Sequence, residues 1–249
     1  MFQRFPIISL SVHHLSFSAC VDTVMHWGFS HMPSYVCFAN VHMTIEAHND
    51  KLFLQNLDNA SLVVADGTPI TVAFRLLYGI KQERIAGMDF MPAVLRMANE
   101  KSAKIFLYGS TEQVLDKLVR KIEEIYPLVK IAGKISPPFT ALSDEELSNH
   151  IEQINSTEAH IVFVSLGCPK QEKWMAANSH RIRAVLLGVG GAFAVTAGLQ
   201  KRSPRWMQKY GLEWFHRLCL EPRRMFKRYL YTNSYFLVLL MKRLAVKKG

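Results

Sequence analysis

Short apolar runs alternate along the chain with longer segments in which apolar residues recur every three or four positions. The short runs have the length and β-branched content of buried strands, and the longer segments have the period of amphipathic helices. The predicted strands cover residues 6–11, 35–39, 62–64, 103–108, 129–135, 160–166 and 184–187. Helices are predicted between them, for example over 111–126 and from Ser143, where Ser-Asp-Glu-Glu has the form of an N-cap followed by acids. This alternation predicts a mostly parallel sheet with helices on both faces.

The charge of the chain is concentrated toward its C-terminus. The net charge is +10, and residues 201–249 hold 13 of the 30 Lys and Arg but only two of the 20 acids. They carry +11, so residues 1–200 carry −1. We predict an α/β catalytic domain over 1–198 and a basic amphipathic appendage over 199–249, because Gly198 and Pro204 bracket a basic run. The expected fold class is therefore α/β, a Rossmann-like sheet with a basic helical C-terminal appendage.

The appendage mixes Arg and Lys with Trp, Phe, Tyr, Met and Leu, which is typical of helices that lie on an anionic membrane. A terminal helix that packs its apolar side on the core would show the same pattern, and both uses are compatible. RNA binding is the weaker alternative, because no RNA-binding motif accompanies the charge. No apolar run is long enough to span a bilayer, residues 1–10 are too interrupted for a secretory signal, and the four cysteines are scattered as in reduced proteins. We expect a cytoplasmic protein, peripheral on the inner face of the cell membrane.

A carboxylate follows one of the predicted strands directly. The run Leu62-Val63-Val64 leads into Ala65-Asp66-Gly67-Thr68-Pro69, where Gly and Pro end the strand and a helical pattern begins. In an open α/β sheet the carboxyl edge of the strands is where ligands bind, so Asp66 is a candidate for the site. A helix cap or a local turn is the simpler role for a single Asp-Gly pair.

Small or polar residues end other predicted strands as well, at Asn40, at Gly109-Ser110-Thr111, at residues 167–172 and at residues 188–193. Backbone amides at such turns form a cradle for an anion, which favours a nucleotide or nucleotide sugar as ligand. Phe193 stands where a dinucleotide fingerprint needs its last Gly, so an oxidoreductase is disfavoured, and there is no ATP-binding P-loop. No His, Cys or Asp cluster has metal-ligand spacing, and we predict no metal and no cofactor.

Nine ordered sequence blocks carry a family resemblance. They are the Asp66 turn, Glu83-Arg84-Ile85-Ala86-Gly87-Met88-Asp89 and the blocks at 106–110, 167–174, 188–193, 197–198, 202–206, 211–214 and 221–224. Over about residues 35–230 the chain resembles the WecG/TagA/CpsF family of bacterial glycosyltransferases, family 26. The resemblance implies an inverting, metal-independent transfer from a UDP-sugar to a polyprenyl-diphosphate-linked sugar, in the synthesis of a surface polysaccharide or wall polymer. The remaining alternative is a non-enzymatic module that binds lipid or RNA through the basic tail.

The resemblance also implies roles for single residues. Asp66 corresponds to the proposed general base. Family members often carry Thr-x-Asn at the first strand end, where this chain has Phe38 and Asn40. The residues expected to bind substrate are Asn40, Arg84, Gly109, Gln171, Gly188, Gly190 and Phe193, with Arg217, Arg223 and Arg224 reaching the diphosphate from the appendage. The expected partners are the two substrates and an anionic membrane surface, without nucleic acid, and a homo-oligomer is left open.

Overall fold

The computed structural model describes residues 2–248, except for the side chains of Lys209, Arg224, Lys247 and Lys248. The strands of this part of the chain are β1 (Arg4–Ile7), β2 (Leu10–His13), β3 (Ser34–Ala39), β4 (Leu62–Ala65), β5 (Lys104–Gly109), β6 (Lys130–Ile135), β7 (Ile161–Ser165) and β8 (Val185–Gly188). Its α-helices are α1 (Phe17–Phe29), α2 (Val41–Asn49), α3 (Lys51–Asp58), α4 (Thr68–Tyr78), α5 (Gly87–Glu100), α6 (Glu112–Ile125), α7 (Asp144–Ser156), α8 (Lys170–Asn178), α9 (Ala192–Thr196), α10 (Arg205–Lys209), α11 (Glu213–Leu220) and α12 (Pro222–Lys248).

Strands β3 to β8 form one parallel sheet in the order β4-β3-β8-β7-β5-β6. Every residue of β3 and of β4 is buried, as expected for strands that are covered by helices on both faces. The predicted α/β fold, with its parallel sheet and C-terminal helical segment, is confirmed. From β3 the chain continues to β4, the neighbouring strand on one side, whereas the neighbour on the other side, β8, is the last strand in the described part of the chain. The strand order therefore reverses at β3, and a crevice that can bind a ligand is expected at the carboxyl end of this strand.

The prediction of one strand over 6–11 is wrong. The chain forms an antiparallel hairpin of β1 and β2, which turns between Ile7 and Leu10. Ile8 adopts a φ of 57°, a left-handed conformation that is rare for a β-branched residue. The sequence does not indicate this turn, because the left-handed position is taken by the β-branched Ile8 and a single Ser is only a weak turn signal.

The hydrophobic core lies in two layers, one on each face of the sheet. One layer contains Phe53, Phe74 and Phe106 and receives Phe236 and Leu240 from α12. Phe236 is 2% exposed, and α12 packs along α2 and α4. Further along α12, Arg243 Nη1 donates to the carbonyl oxygen of Ile8 at 2.8 Å.

The C-terminal helices also carry large apolar side chains on their outer surface. They include Trp214, Phe215, Leu220, Phe226, Leu230, Tyr231, Leu237, Val238 and Met241. Across residues 2–248, no helix combines the length and the apolar character needed to cross a bilayer. The division into domains at residue 198 stays a prediction.

Candidate active site

Asp66 lies at the carboxyl end of β4, in the turn that leads into α4. Gly67 has a φ of +106°, which a residue with a side chain rarely adopts, and this geometry reverses the chain within two residues. The Asp66 amide donates to the carbonyl oxygen of Ala39 at 2.8 Å, so the turn is tied to the end of β3. The helix N-cap is Gly67 and receives no side-chain hydrogen bond, so the Asp66 carboxylate is not used as a cap.

Asp66 as a residue keeps partial access to solvent, yet the protein closely surrounds its carboxyl group. Burial raises its pKa from the ordinary 3.8 to about 7. Arg217 and Arg84 oppose this rise by attraction to the carboxylate, whereas Glu213 and Asp89 add to it by repulsion. A carboxyl group with a pKa near neutrality can accept a proton at physiological pH and release it again, which is what a general base requires.

Arg84 lies beside Asp66 on the loop between α4 and α5. The Ile85 amide donates to the carbonyl oxygen of Ala65 at 2.8 Å and holds this loop against β4. Arg84 Nη2 forms an ion pair with Asp89 Oδ2 at 2.8 Å, and Nη1 pairs with Glu213 Oε2. The structure therefore brings the predicted residues Asp66 and Arg84 together.

Three partners of this cluster were not predicted as site residues, namely Asp89, Arg202 and Glu213. Arg202 Nη2 pairs with Asp89 Oδ1 and lies 4.0 Å from Glu213 Oε1, so two arginines and two carboxylates form one network. All three residues lie in the sequence blocks that carry the resemblance, which was the signal available. A sequence block does not show which basic residue contacts its acidic residue. The ion-pair network therefore could not be predicted from the blocks.

The arginines predicted in the appendage have different places. Arg217 on α11 is near Asp66, and its Nη2 donates to Met88 Sδ at 3.3 Å. Arg223 is exposed in the first turn of α12. The side chain of Arg224 lies outside the described residues. Of the two whose side chains the structure describes, Arg217 is the one that lies near Asp66.

Gln171 is buried beneath the turns that follow β7 and β8. Its Oε1 accepts from the Gly167 amide at 3.2 Å, and its Nε2 donates at 2.8 Å to both the Gly188 carbonyl oxygen and Glu172 Oε1. A side chain at Gly188 would approach Gln171 Nε2 to 3.1 Å, and one at Gly190 would approach Oε1 to 3.3 Å. Gln171 thus supports the glycine turn through its hydrogen bonds from the protein interior. Direct contact between Gln171 and substrate stays a prediction.

The other residues predicted to bind substrate lie at the same carboxyl edge of the sheet, but they differ in how deeply they are buried. Asn40 Oδ1 accepts from the Met43 amide at 3.1 Å and caps α2, next to the Asp66 turn. Gly109 has a φ of +106°, and a Cβ there would collide with the backbone of Ser165. Phe193 is 1% exposed and packs in the core, as does Phe38. Binding by these residues stays a prediction.

The residues that the structure describes contain no group of three or more His, Cys, Asp and Glu side chains arranged to hold a metal ion. The charged groups that act on Asp66 are Arg217, Arg84, Glu213 and Asp89. The arrangement provides a titratable carboxyl group and fixed positive charge at one sheet edge. Such a set can remove a proton from an alcohol and stabilise an anionic leaving group.

Comparison with known proteins gives consistent matches. The model of the Glycosyl transferase WecG/TagA/CpsF family matches residues 5–249. An N-acetylglucosaminyldiphosphoundecaprenol N-acetyl-beta-D-mannosaminyltransferase of Bacillus subtilis (strain 168) is 37% identical over 205 residues, which are 81% of this chain and 77% of the relative. A protein of the same name from Staphylococcus aureus (strain NCTC 8325 / PS 47) is 29% identical over 192 residues, 77% of this chain and 74% of the relative.

Proposed function

Since the chain belongs to the WecG/TagA/CpsF family of glycosyltransferases, we propose that it transfers a sugar from UDP to a polyprenyl-diphosphate-linked acceptor sugar with inversion at the anomeric carbon. The names of the two relatives support N-acetylmannosamine as the sugar transferred and N-acetylglucosaminyl-diphosphoundecaprenol as the acceptor. The product enters the synthesis of a wall polymer or surface polysaccharide. The observation that carries the proposal is Asp66, a carboxyl group of near-neutral pKa beside Arg84 and Arg217.

In the proposed step, Asp66 takes the proton of the acceptor hydroxyl group. The acceptor oxygen forms its bond to the anomeric carbon as the bond from that carbon to the UDP oxygen breaks. The electron pair leaves with the diphosphate on the opposite face of the sugar, which inverts the configuration. A general base of this kind contributes about 100- to 10,000-fold to a rate, and its carboxylate must be near the reacting hydroxyl group.

The leaving diphosphate gains negative charge as the bond breaks. Arg84 and Arg217 supply positive charge near Asp66, and the turns after Gly109 and Gly188 lie at the same sheet edge. We propose that these groups stabilise the diphosphate without a metal ion. Transfer in the presence of EDTA at the rate seen with added Mg²⁺ is expected, and a rate that depends on Mg²⁺ would contradict this part of the proposal.

We also propose that the enzyme works at the cytoplasmic face of the membrane. The outward aromatic and aliphatic side chains of α11 and α12 lie among the bases that give residues 201–249 their charge of +11. Aromatic residues and bases on one helical surface favour contact with anionic lipid. A polyprenyl-linked acceptor would be met at that surface.

The test offers a panel of UDP-sugars together with an N-acetylglucosaminyl-diphospholipid acceptor and identifies products by mass. We expect one added N-acetylhexosamine with the N-acetylmannosamine donor, and a loss of at least about 100-fold in the Asp66→Asn variant. The exposed Asp22→Asn variant on α1 is the matched control and should keep parental activity. If no donor gave a product, the proposed reaction would be refuted. An active Asp66→Asn enzyme would refute the role of Asp66 as the general base.

A further inference from the structure

Glu213 and Arg217 lie one turn apart on α11 and share a face of that helix, since residues at i and i+4 are neighbours. Glu213 Oε2 pairs with Arg84 Nη1, and Glu213 Oε1 lies 3.5 Å from Ser203 Oγ. The ion pair is partly buried, with 21% of the Arg84 side chain and 22% of the Glu213 side chain exposed. This contact joins α11 to the loop beside Asp66.

Arg217 itself has a weaker attachment. The polar contact described for its guanidinium is the one to Met88 Sδ at 3.3 Å, and thioether sulfur is a weak acceptor. Its distance from Asp66 is therefore set by the placement of α11. Gly211, just before the helix, fits against Thr68 so closely that a Cβ there would meet the Thr68 Oγ1 at 2.5 Å. This turn and the Glu213 pair are two of the contacts that place α11 beside the Asp66 turn.

The ion pair leaves donors of Arg84 available. A guanidinium has five N–H donors, and the contacts to Asp89 and Glu213 are made through Nη2 and Nη1. A diphosphate oxygen can therefore approach Arg84 while both carboxylates stay in place. If Glu213 instead occupied the place on Arg84 where the diphosphate binds, removing Glu213 would speed the reaction. The two possible roles of Glu213 therefore predict opposite effects on the reaction rate.

We infer that Glu213 is a positioning residue, which docks α11 onto Arg84 and thereby holds Arg217 beside Asp66 and the leaving diphosphate. The inference rests on the proposed function. It gives the appendage a specific attachment to the catalytic machinery. It also explains why Glu213 is present in the basic segment 201–249, where the other acidic residue is Glu221.

The experiment compares Glu213→Ala, Glu213→Gln, Arg217→Ala and the double variant Glu213→Ala/Arg217→Ala in the full chain. We expect kcat to fall about 100-fold in Glu213→Ala, the loss typical for one group that stabilises developing charge. The double variant should be no slower than Arg217→Ala, because both changes remove the same contribution. Glu213→Gln should lie between, since an amide keeps one hydrogen bond but not the ion pair. The control Glu158→Gln, which breaks a 3.0 Å pair with Lys104 at the opposite sheet edge, should keep the parental rate.

Two further measurements separate positioning from general stability. Undocking α11 in Glu213→Ala reduces the burial of Asp66, the largest cause of its raised pKa, and removes the repulsion by Glu213, while the lost attraction of Arg217 acts in the opposite direction. The acid limb of the kcat/KM profile should therefore move to lower pH in Glu213→Ala, whereas in Arg217→Ala, which removes the attraction alone, it should move to higher pH. Trypsin should also cleave the 201–209 segment at least five times faster in Glu213→Ala, whether or not substrate has been identified. Parental kcat, a faster rate, additive losses in the double variant or an unmoved acid limb would each overturn the inference. An inactive parental enzyme would refute the proposed function instead, and the trypsin comparison would then still decide whether Glu213 docks α11.

Discussion

Asp66→Asn should make the protein more stable while it removes activity. Burial raises the pKa of Asp66 to about 7, so the folded state disfavours the carboxylate relative to the unfolded chain. Between the ordinary pKa of 3.8 and about 7, the folded protein binds more protons at this site than the unfolded chain does. Stability therefore falls as pH rises through this window and stays lowered above it. Asn has the same shape and no charge, so the variant escapes this loss.

The size of the effect follows from the pKa difference. One pKa unit corresponds to about 1.4 kcal/mol, so the change from 3.8 to about 7 is worth at most about 4 kcal/mol. Asp66 keeps some contact with water, which screens the charge, and we expect about 1–2 kcal/mol in the free energy of unfolding at pH 8. For a chain of this size that is a rise in Tm of about 2–8 °C. About three-fifths of the gain should develop between pH 5 and pH 8.

The assay is thermal unfolding of the parental protein and Asp66→Asn at pH 5 and pH 8, followed by calorimetry. The Asp22→Asn variant on α1 is the control for removal of an exposed carboxylate and should show no gain that grows with pH. A variant that is less stable than the parent at pH 8 would refute the reasoning. A gain of equal size at both pH values would do so too, because it could not come from the titration of Asp66.

Four further outcomes are expected. The parental kcat/KM should rise about tenfold per pH unit up to about pH 7 and then level, because only the Asp66 carboxylate accepts the proton; a flat profile from pH 5 to 8 contradicts this. Arg84→Lys keeps the charge but loses the fork that contacts two carboxylates, so kcat/KM should fall about 100-fold in steady-state transfer assays, and parental activity would refute the role. Phe236→Ala should lower the free energy of unfolding in urea by about 3 kcal/mol, since this ring is buried in the core. Phe226→Ala, 58% exposed on the same helix, should change it by less than about 0.5 kcal/mol and instead weaken binding to anionic liposomes; equal destabilisation by both variants would contradict the placement of α12.

The sheet and the position of Asp66 were predictable because they depend on local patterns. Strands such as β3 and β4 are continuous apolar runs, and parallel strands bring their carboxyl ends to one edge. The pair between Arg84 and Glu213 was not predictable, because the two residues are 129 positions apart and any of several bases could have faced that acid. Phe193 shows the same limit at short range. A glycine-rich turn predicts a ligand site, but its pattern does not tell whether the aromatic ring that follows it points to the ligand or to the core.

The C-terminal segment shows most clearly why an amphipathic pattern leaves two uses open. Phe236 and Leu240 of α12 are buried in one core layer of the sheet, whereas Leu237 and Met241, the next residue after each, are exposed. Each buried residue and its exposed neighbour are about 100° apart around the helix, so α12 has apolar side chains on two faces. The amino-acid composition of α12 describes both faces together and does not show which apolar residues belong to which face. Because one face is fixed in the core, the outward face has a fixed orientation relative to Asp66. A membrane bound at that outward face would therefore meet the sheet edge at a defined angle.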